Sequence, residues 1–171
     1  MPIPRLLAVV LGLSLGCVVP SGIAQAIGTD EPPPEDSVTA ITFQKGKKAL
    51  ATEDWLVAIP LFQSVVAAEP DNADAWNYLA YSHRRSGQLT PAFNAYRKAL
   101  TLNPQHLGAL SYLGEAYLQA GDIDQAQAQL QKLALFCGTT CTEYQALAEA
   151  IATHTGGSPS PPSTSPYKID P

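Results

Sequence analysis

A repeat with a period of 34 residues limits what this chain can fold into more than any other feature. The repeated positions lie between residues 39 and 140 and hold unrelated residue types, so chance is a poor explanation. The recurring sets are Trp55, Leu89 and Ile123; Ala58, Ala92 and Ala126; Phe62, Tyr96 and Leu130; Pro70 and Pro104; Gly87 and Gly121. Repeats of this length form stacked units, each of which buries its apolar face only against its neighbours.

Within each period the apolar residues recur at helical intervals. In the middle unit Trp76, Leu79 and Ala80 share one helix face, and Ala92 and Tyr96 share a face in its second half. Glycines between the two halves suit the end of a first helix, and prolines at the unit boundaries stop the second. The sequence therefore predicts an all-α stack of amphipathic helix pairs.

The stretch AWNYLAYSHRRSGQLTPAFNAYRKALTLNP, residues 75–104, resembles a tetratricopeptide repeat. The resemblance extends to the flanking units, with His83 in place of a usual tyrosine and Gly138 in place of the last proline. It implies a right-handed superhelical solenoid of three helix-turn-helix repeats, at residues 39–72, 73–106 and 107–140. The positions that fill the family pattern in the middle unit are Trp76, Leu79, Ala80, Gly87, Ala92, Tyr96, Ala99 and Pro104.

The last helix pair of such a stack needs a cover for its apolar face. Residues 141–154 supply a candidate, because Tyr144, Leu147, Ala148 and Ile151 form a stripe at helical spacing. We therefore expect a C-terminal capping helix over this segment.

The N-terminal segment has the parts of a secretory signal peptide. Arg5 precedes an uncharged apolar run, which is followed by the sequence AQA at residues 24–26. Its alanines occupy the first and third positions before the expected cleavage site, where signal peptides have small residues, so we expect cleavage after Ala26. A competing reading makes Cys17 a lipid-modified cysteine, but Ser14 stands where a lipoprotein signal usually has a large aliphatic residue. We expect an exported protein, periplasmic or secreted, with membrane contact only if residues 1–26 are retained or Cys17 is lipidated.

Two further segments are predicted to be disordered. Residues 27–38 are acidic and proline-rich with little to bury, which is typical of an extended spacer. Residues 155–171 are mainly glycine, serine and proline, which is typical of a flexible tail.

The charge balance argues against a nucleic-acid partner. Loss of residues 1–26 removes one of the 10 basic residues and none of the 15 acidic ones, so the predicted mature chain is acidic. Phosphate binding needs a basic surface. No glycine-rich phosphate loop or nucleophile elbow is present in the sequence, and we expect neither enzymatic activity nor a cofactor.

Cys137 and Cys141 are the two cysteines that remain after the predicted cleavage. An even number in an oxidising compartment favours a disulfide, here between the last repeat helix and the capping helix. The alternatives are a reduced pair without a function, or a redox or metal site. A metal would need further ligands, and the three histidines, His83, His106 and His154, are scattered along the sequence.

The tetratricopeptide resemblance implies a concave groove lined by the first helix of each pair, in which a peptide or a helix of another protein binds. Chaperone-binding members clamp a terminal carboxylate, and this sequence keeps Lys47 of that set but has Tyr78, Gly108 and Tyr112 at other clamp positions. Aromatic and polar residues together could still hold a peptide backbone and an acidic group. The implied lining is Phe43, Lys47, Leu50, Asn77, Tyr78, Tyr81, Arg84, Ser111, Tyr112, Glu115 and Leu118.

Three functions are compatible with this sequence. The first is an exported scaffold or adaptor that binds a partner protein in the groove. The second is a permanent structural subunit of an envelope assembly. The third is a thiol-disulfide or metal-binding protein that uses Cys137 and Cys141.

Overall fold

The computed structural model describes residues 35–156, with side chains from residue 38 onward. The predicted signal peptide, the modification at Cys17, most of the spacer and nearly all of the tail lie outside this range. The described residues form seven helices and no strand, which confirms the expected all-α class. The helices are α1 (Glu35–Ala51), α2 (Trp55–Ala68), α3 (Ala73–Arg85), α4 (Leu89–Leu102), α5 (Leu107–Gln119), α6 (Ile123–Cys137) and α7 (Thr142–His154).

The helices stack in sequence order. α1 packs on α2, α3 on α4 and α5 on α6, and successive pairs meet through α2 against α3 and α4 against α5. α7 packs on both α5 and α6 and so covers the last pair. The expected arrangement of three helix pairs and a capping helix is confirmed.

Helix α1 begins earlier than the sequence analysis predicted. It starts at Glu35, so the last four residues of the predicted spacer, 35–38, are helical and that part of the prediction is wrong. The sequence contains a reason, since residues 32–34 are prolines and residues 35 and 36 are acidic. Acidic residues are favoured in the first turn of a helix, where they complement the helix dipole.

Side chains cap four of the helices at their N-termini. Asp54, Asn72, His106 and Asp122 each accept a hydrogen bond from the backbone N–H three residues further along the chain. Asn72 and His106 are one period apart, so the imidazole of His106 takes over the role of the asparagine amide. Such caps satisfy backbone donors that have no partner within the helix.

The turn inside each pair needs a left-handed residue. Gly87 and Gly121 supply it with φ angles of 81° and 79°. Glu53 occupies the equivalent position of the first pair with a φ of 57°, although it carries a side chain. A non-glycine residue is strained in this region.

The apolar core has two parts. The larger one fills the first two pairs and their contact with α5, and includes the fully buried Phe62 and Tyr96. The smaller one joins α5, α6 and α7 around Leu133 and Leu147. Among the described helices, none is both long and apolar enough to cross a membrane.

The capping helix approaches α5 very closely at Gly114. A Cβ atom at this glycine would lie 2.5 and 2.6 Å from the two Cδ atoms of Leu147, a side chain that is fully buried. Gly114 therefore lets α7 sit directly on α5.

Candidate functional site

The first helices of the three pairs, α1, α3 and α5, carry the eleven residues predicted to line a groove; we call this surface the groove face. The structure buries more of them than an open groove implies, and partner binding by these residues stays a prediction. Buried are Leu50, Asn77, Tyr78, Arg84, Ser111, Tyr112 and Leu118. Partly buried are Phe43, Lys47, Tyr81 and Glu115.

Phe43 and Tyr78 belong to an aromatic cluster at the contact between the first two pairs. Tyr78 stacks on Phe62 with 5.4 Å between ring centroids, and Phe43 meets both rings edge-on at 5.6 and 5.8 Å. These geometries are typical of core aromatic packing. Both residues therefore help to hold the pairs together.

Three other predicted residues also have packing or anchoring roles. Leu50 lies in the larger core and Leu118 in the smaller one. The hydroxyl of Ser111 donates a hydrogen bond to the backbone carbonyl of Glu143, 3.3 Å away, and so ties α5 to the start of α7. The first helices α3 and α5 contact elements on both sides of their own pair, so more of their surface is buried than the single apolar face that the sequence pattern predicts.

Arg84 occupies the centre of the groove face. Its Nη2 atom lies 2.9 Å from Oε2 of Glu115 on the next first helix. The guanidinium also lies over the rings of Tyr81 and Tyr112, with 5.3 and 5.7 Å to their centroids. Charge pairing and cation–π contacts together stabilise an arginine that is almost completely buried.

Tyr96 of α4 approaches this arginine from behind. Burial raises the pKa of Tyr96 far above its ordinary value, so the phenol stays neutral. Burial opposes the charge of Arg84, but Tyr96 and Glu115 hold the pKa of Arg84 above its usual value. The phenol influences that charge without forming a hydrogen bond of normal geometry. Tyr96 was predicted as a repeat position, and only the fold reveals that it meets Arg84.

Tyr81 connects the centre of the groove face to its edge. Its ring lies 4.8 Å from that of Tyr112 and 5.8 Å from that of Trp55. Its hydroxyl accepts a hydrogen bond from Nη1 of Arg85 at 2.9 Å. The ring of Tyr81 is held from two sides and is the least buried of the three groove-face tyrosines.

Asn77 lies two helical turns before Arg84 on α3 and is fully buried. Neither its amide nitrogen nor its amide oxygen has a hydrogen-bond partner. Gly108 of α5 lies close to this amide, since a Cβ added at Gly108 would lie 3.6 Å from Nδ2 of Asn77. A buried amide without partners lowers stability, because it has lost its hydrogen bonds to water.

A second polar pair lies at the start of α3 and α5. Nε2 of His106 lies 3.0 Å from Oδ1 of Asp74, while Nδ1 of the same ring accepts the capping hydrogen bond from Ala109. The interaction with His106 lowers the pKa of Asp74, and the charge of Lys47 lowers it further. This pair was not predicted from the sequence. The 34-residue step from Asn72 to His106 was the available signal.

Cys137 and Cys141 form a disulfide in the structure, with 5.9 Å between their Cα atoms. Cys137 ends α6 and Cys141 immediately precedes α7, so the bridge spans the turn between the last repeat helix and the capping helix. In residues 38–156, no group of three or more metal-ligating side chains comes together.

Two comparisons with known sequences match the repeat region. The family model for the anaphase-promoting complex, cyclosome, subunit 3 matches residues 53–133. The PEX5-related protein of Homo sapiens is 29% identical over 79 residues, which are 46% of this chain and 13% of that protein. The chain therefore spans only a small part of this relative.

Comparison with solved structures identifies the fold. The first tetratricopeptide domain of Spaghetti (RPAP3), bound to the HSP90 peptide SRMEEVD, is similar with a TM-score of 0.62 at 18% identity, over 70% of this chain and 96% of that one. The Sgt2 tetratricopeptide domain from Aspergillus fumigatus gives 0.61 at 20% identity, over 80% of this chain and 93% of that one. This chain has the tetratricopeptide-repeat fold. It is a helical-repeat protein whose helix pairs stack on their neighbours.

Proposed function

We propose that this protein is an exported, non-enzymatic adaptor that binds a segment of a partner protein on its groove face. The observation that carries the proposal is Asn77, whose fully buried amide has both a free donor and a free acceptor. A peptide backbone offers the complementary acceptor and donor. Support also comes from the similar RPAP3 domain, which is bound to a peptide.

The more accessible part of the groove face suits a role in binding. Tyr81 and Glu115 are only partly buried and flank the centre of the groove face. Tyrosine provides a large, rigid contact surface together with a polar group, which is why it is frequent at binding surfaces. Because Asn77 is fully buried, its binding to a partner requires that side chains near it change rotamer, a change that is common at protein interfaces.

The test uses Asn77→Leu, which removes the amide and keeps a similar volume. Replacement of unpaired polar atoms by an apolar group of the same shape leaves stability unchanged or raises it. We expect the variant to melt at or above the temperature of the natural protein and to lose its partner. The measurement is crosslinking and affinity capture of tagged, natively exported protein, with mass spectrometry of the captured proteins and of the mature N-terminus.

Asn94→Leu is the matched control, because Asn94 is exposed on α4 and lies outside the groove face. A partner that is retained by Asn94→Leu and lost by Asn77→Leu supports the adaptor. Equal capture by both variants contradicts it. The mature N-terminus tests export separately, since a chain that still begins at Met1 contradicts cleavage after Ala26.

A second function, a permanent subunit of an envelope assembly, is favoured by a different observation. The first helix pair exposes several large apolar side chains, including Leu56 with 76% of its surface accessible. The others in this pair are Val38, Ile41 and Val57. Val38 and Ile41 lie one turn apart near the start of α1, and Leu56 and Val57 lie in the first turn of α2. Exposed apolar patches mark interaction sites. A partner that copurifies at fixed stoichiometry and survives Asn77→Leu would favour this function over the adaptor.

A further inference from the structure

The groove face was predicted to hold an acidic group, but its central arginine is already paired. Arg84 binds Glu115 at 2.9 Å, so its charge is already neutralised within the protein. The other cation of the groove face, Lys47, lies close enough to Asp74 to lower the pKa of that carboxyl group. The central cation of the groove face is therefore already paired with a carboxylate among the described residues.

The two members of the central pair differ in accessibility. The side chain of Arg84 is 5% exposed, and that of Glu115 is 27% exposed. The rings of Tyr81 and Tyr112 lie against the guanidinium. An approaching ligand therefore meets the carboxylate first, although the buried partner is a cation.

The repeat places Glu115 in a series with a changing charge. Lys47, Tyr81 and Glu115 are one period apart and occupy equivalent positions on α1, α3 and α5. The sign along the groove face therefore changes from positive at the first pair to negative at the last.

We infer that Glu115 sets the charge specificity of the groove face, which accepts a neutral or basic residue beside α5 and rejects an acidic one. This inference rests on the proposed function, because it assumes that the groove face is the binding surface.

The physical reason lies in what each kind of ligand meets at Glu115. An acidic side chain must lie beside the carboxylate or displace it from Arg84, and like charges in contact are strongly unfavourable. A lysine, an arginine or a backbone N–H can instead donate to the carboxylate, which has acceptor sites beyond the one that Arg84 uses.

The test measures charge preference with a positional-scanning library of decapeptides, in which one position at a time holds lysine, glutamine or glutamate. The natively processed protein is the first sample, and its preference is informative without any variant. We expect one position at which lysine or glutamine is preferred over glutamate by on the order of tenfold. Preference for glutamate at every discriminating position overturns the inference.

Glu115→Gln is the decisive variant, since it removes the charge and keeps the shape. We expect it to abolish the preference at that position or to reverse it towards glutamate, because the charge of Arg84 is then no longer balanced. Glu53→Gln is the control, as it removes a carboxylate that pairs with Arg85 away from the centre of the groove face, and it should keep the natural preference. An unchanged preference in folded Glu115→Gln overturns the inference.

Failure of this inference and failure of the proposed function give different results. Peptide binding without any charge preference removes the role of Glu115 and leaves the adaptor intact. If no peptide of any charge binds, while Asn77→Leu and Asn94→Leu capture the same proteins, both proposals fail together.

Discussion

Replacement of Gly114 by alanine should loosen the capping helix. The added methyl group would lie 2.5 and 2.6 Å from the Cδ atoms of Leu147 and 3.1 Å from its Cγ. The Leu147 side chain is fully buried, so it has no open space into which it can turn. The clash must therefore move α7 away from α5 or force a strained rotamer.

Two opposing effects determine the size of the change. Overpacking of a filled core costs about 1–3 kcal/mol. Alanine in place of glycine inside a helix returns up to about 1 kcal/mol through its higher helix propensity. We therefore expect Gly114→Ala to lower the free energy of unfolding by about 1–2 kcal/mol.

The assay is urea unfolding of Gly114→Ala, Leu147→Ala and the double variant, monitored by far-UV circular dichroism. Leu147→Ala alone costs about 2–5 kcal/mol, because it leaves a cavity. In the double variant the methyl group occupies part of that cavity, so the combined loss should be smaller than the sum of the single losses.

Gly108→Ala is the control in the same helix. Its Cβ would have no neighbour closer than 3.5 Å, so stability should stay the same or rise slightly. A neutral Gly114→Ala, or strictly additive losses in the double variant, would refute the close packing of α7 on α5.

Three further changes test other parts of the structure. Cys141→Ser should lower the free energy of unfolding by about 2 kcal/mol under oxidising conditions, because it removes the disulfide to Cys137. Equal stability of the natural protein with and without a reductant would contradict a stabilising disulfide. Glu53→Gly should raise the free energy of unfolding by about 0.5–1 kcal/mol, because glycine relieves the strain of the left-handed backbone at this position. This relief exceeds the added entropy of the unfolded chain and the loss of an exposed ion pair. Glu53→Ala keeps the strain and should give no such gain. Burial lowers the pKa of His83, so the unfolded chain takes up the proton first and stability should fall as the pH drops below the ordinary value of 6.5. His83→Tyr should remove this part of the pH dependence in equilibrium unfolding, and an unchanged profile would contradict it.

Most of the fold could be predicted from the sequence, because the 34-residue step fixes both the number of helix pairs and their order. Gly87 and Gly121 mark the turns within pairs by their backbone freedom alone. The start of α1 was predicted too late, since a proline-rich acidic segment resembles a spacer and a helix start equally. Glu53 was missed as a turn residue, because only the register shows that it replaces a glycine.

Less of the candidate site could be predicted. The pattern places Arg84 on the groove face, but its charge is balanced by Glu115, a residue 31 positions later whose side chain reaches it only in the folded stack. The position of Tyr78 in the repeat is the same whether its ring binds a partner or packs against neighbouring helices. Its contacts with Phe43 and Phe62 show that it packs. The free amide of Asn77 is likewise visible only when its surroundings are known.

The most direct test of the groove face is site-specific photocrosslinking in the natively exported protein. A photoreactive amino acid replaces Tyr81 on α3 in one sample and Asn94 on α4 in another. We expect a discrete adduct with a partner protein from position 81 and none from position 94. An adduct from position 94 alone would contradict it, because the partner would then bind the surface formed by the second helices.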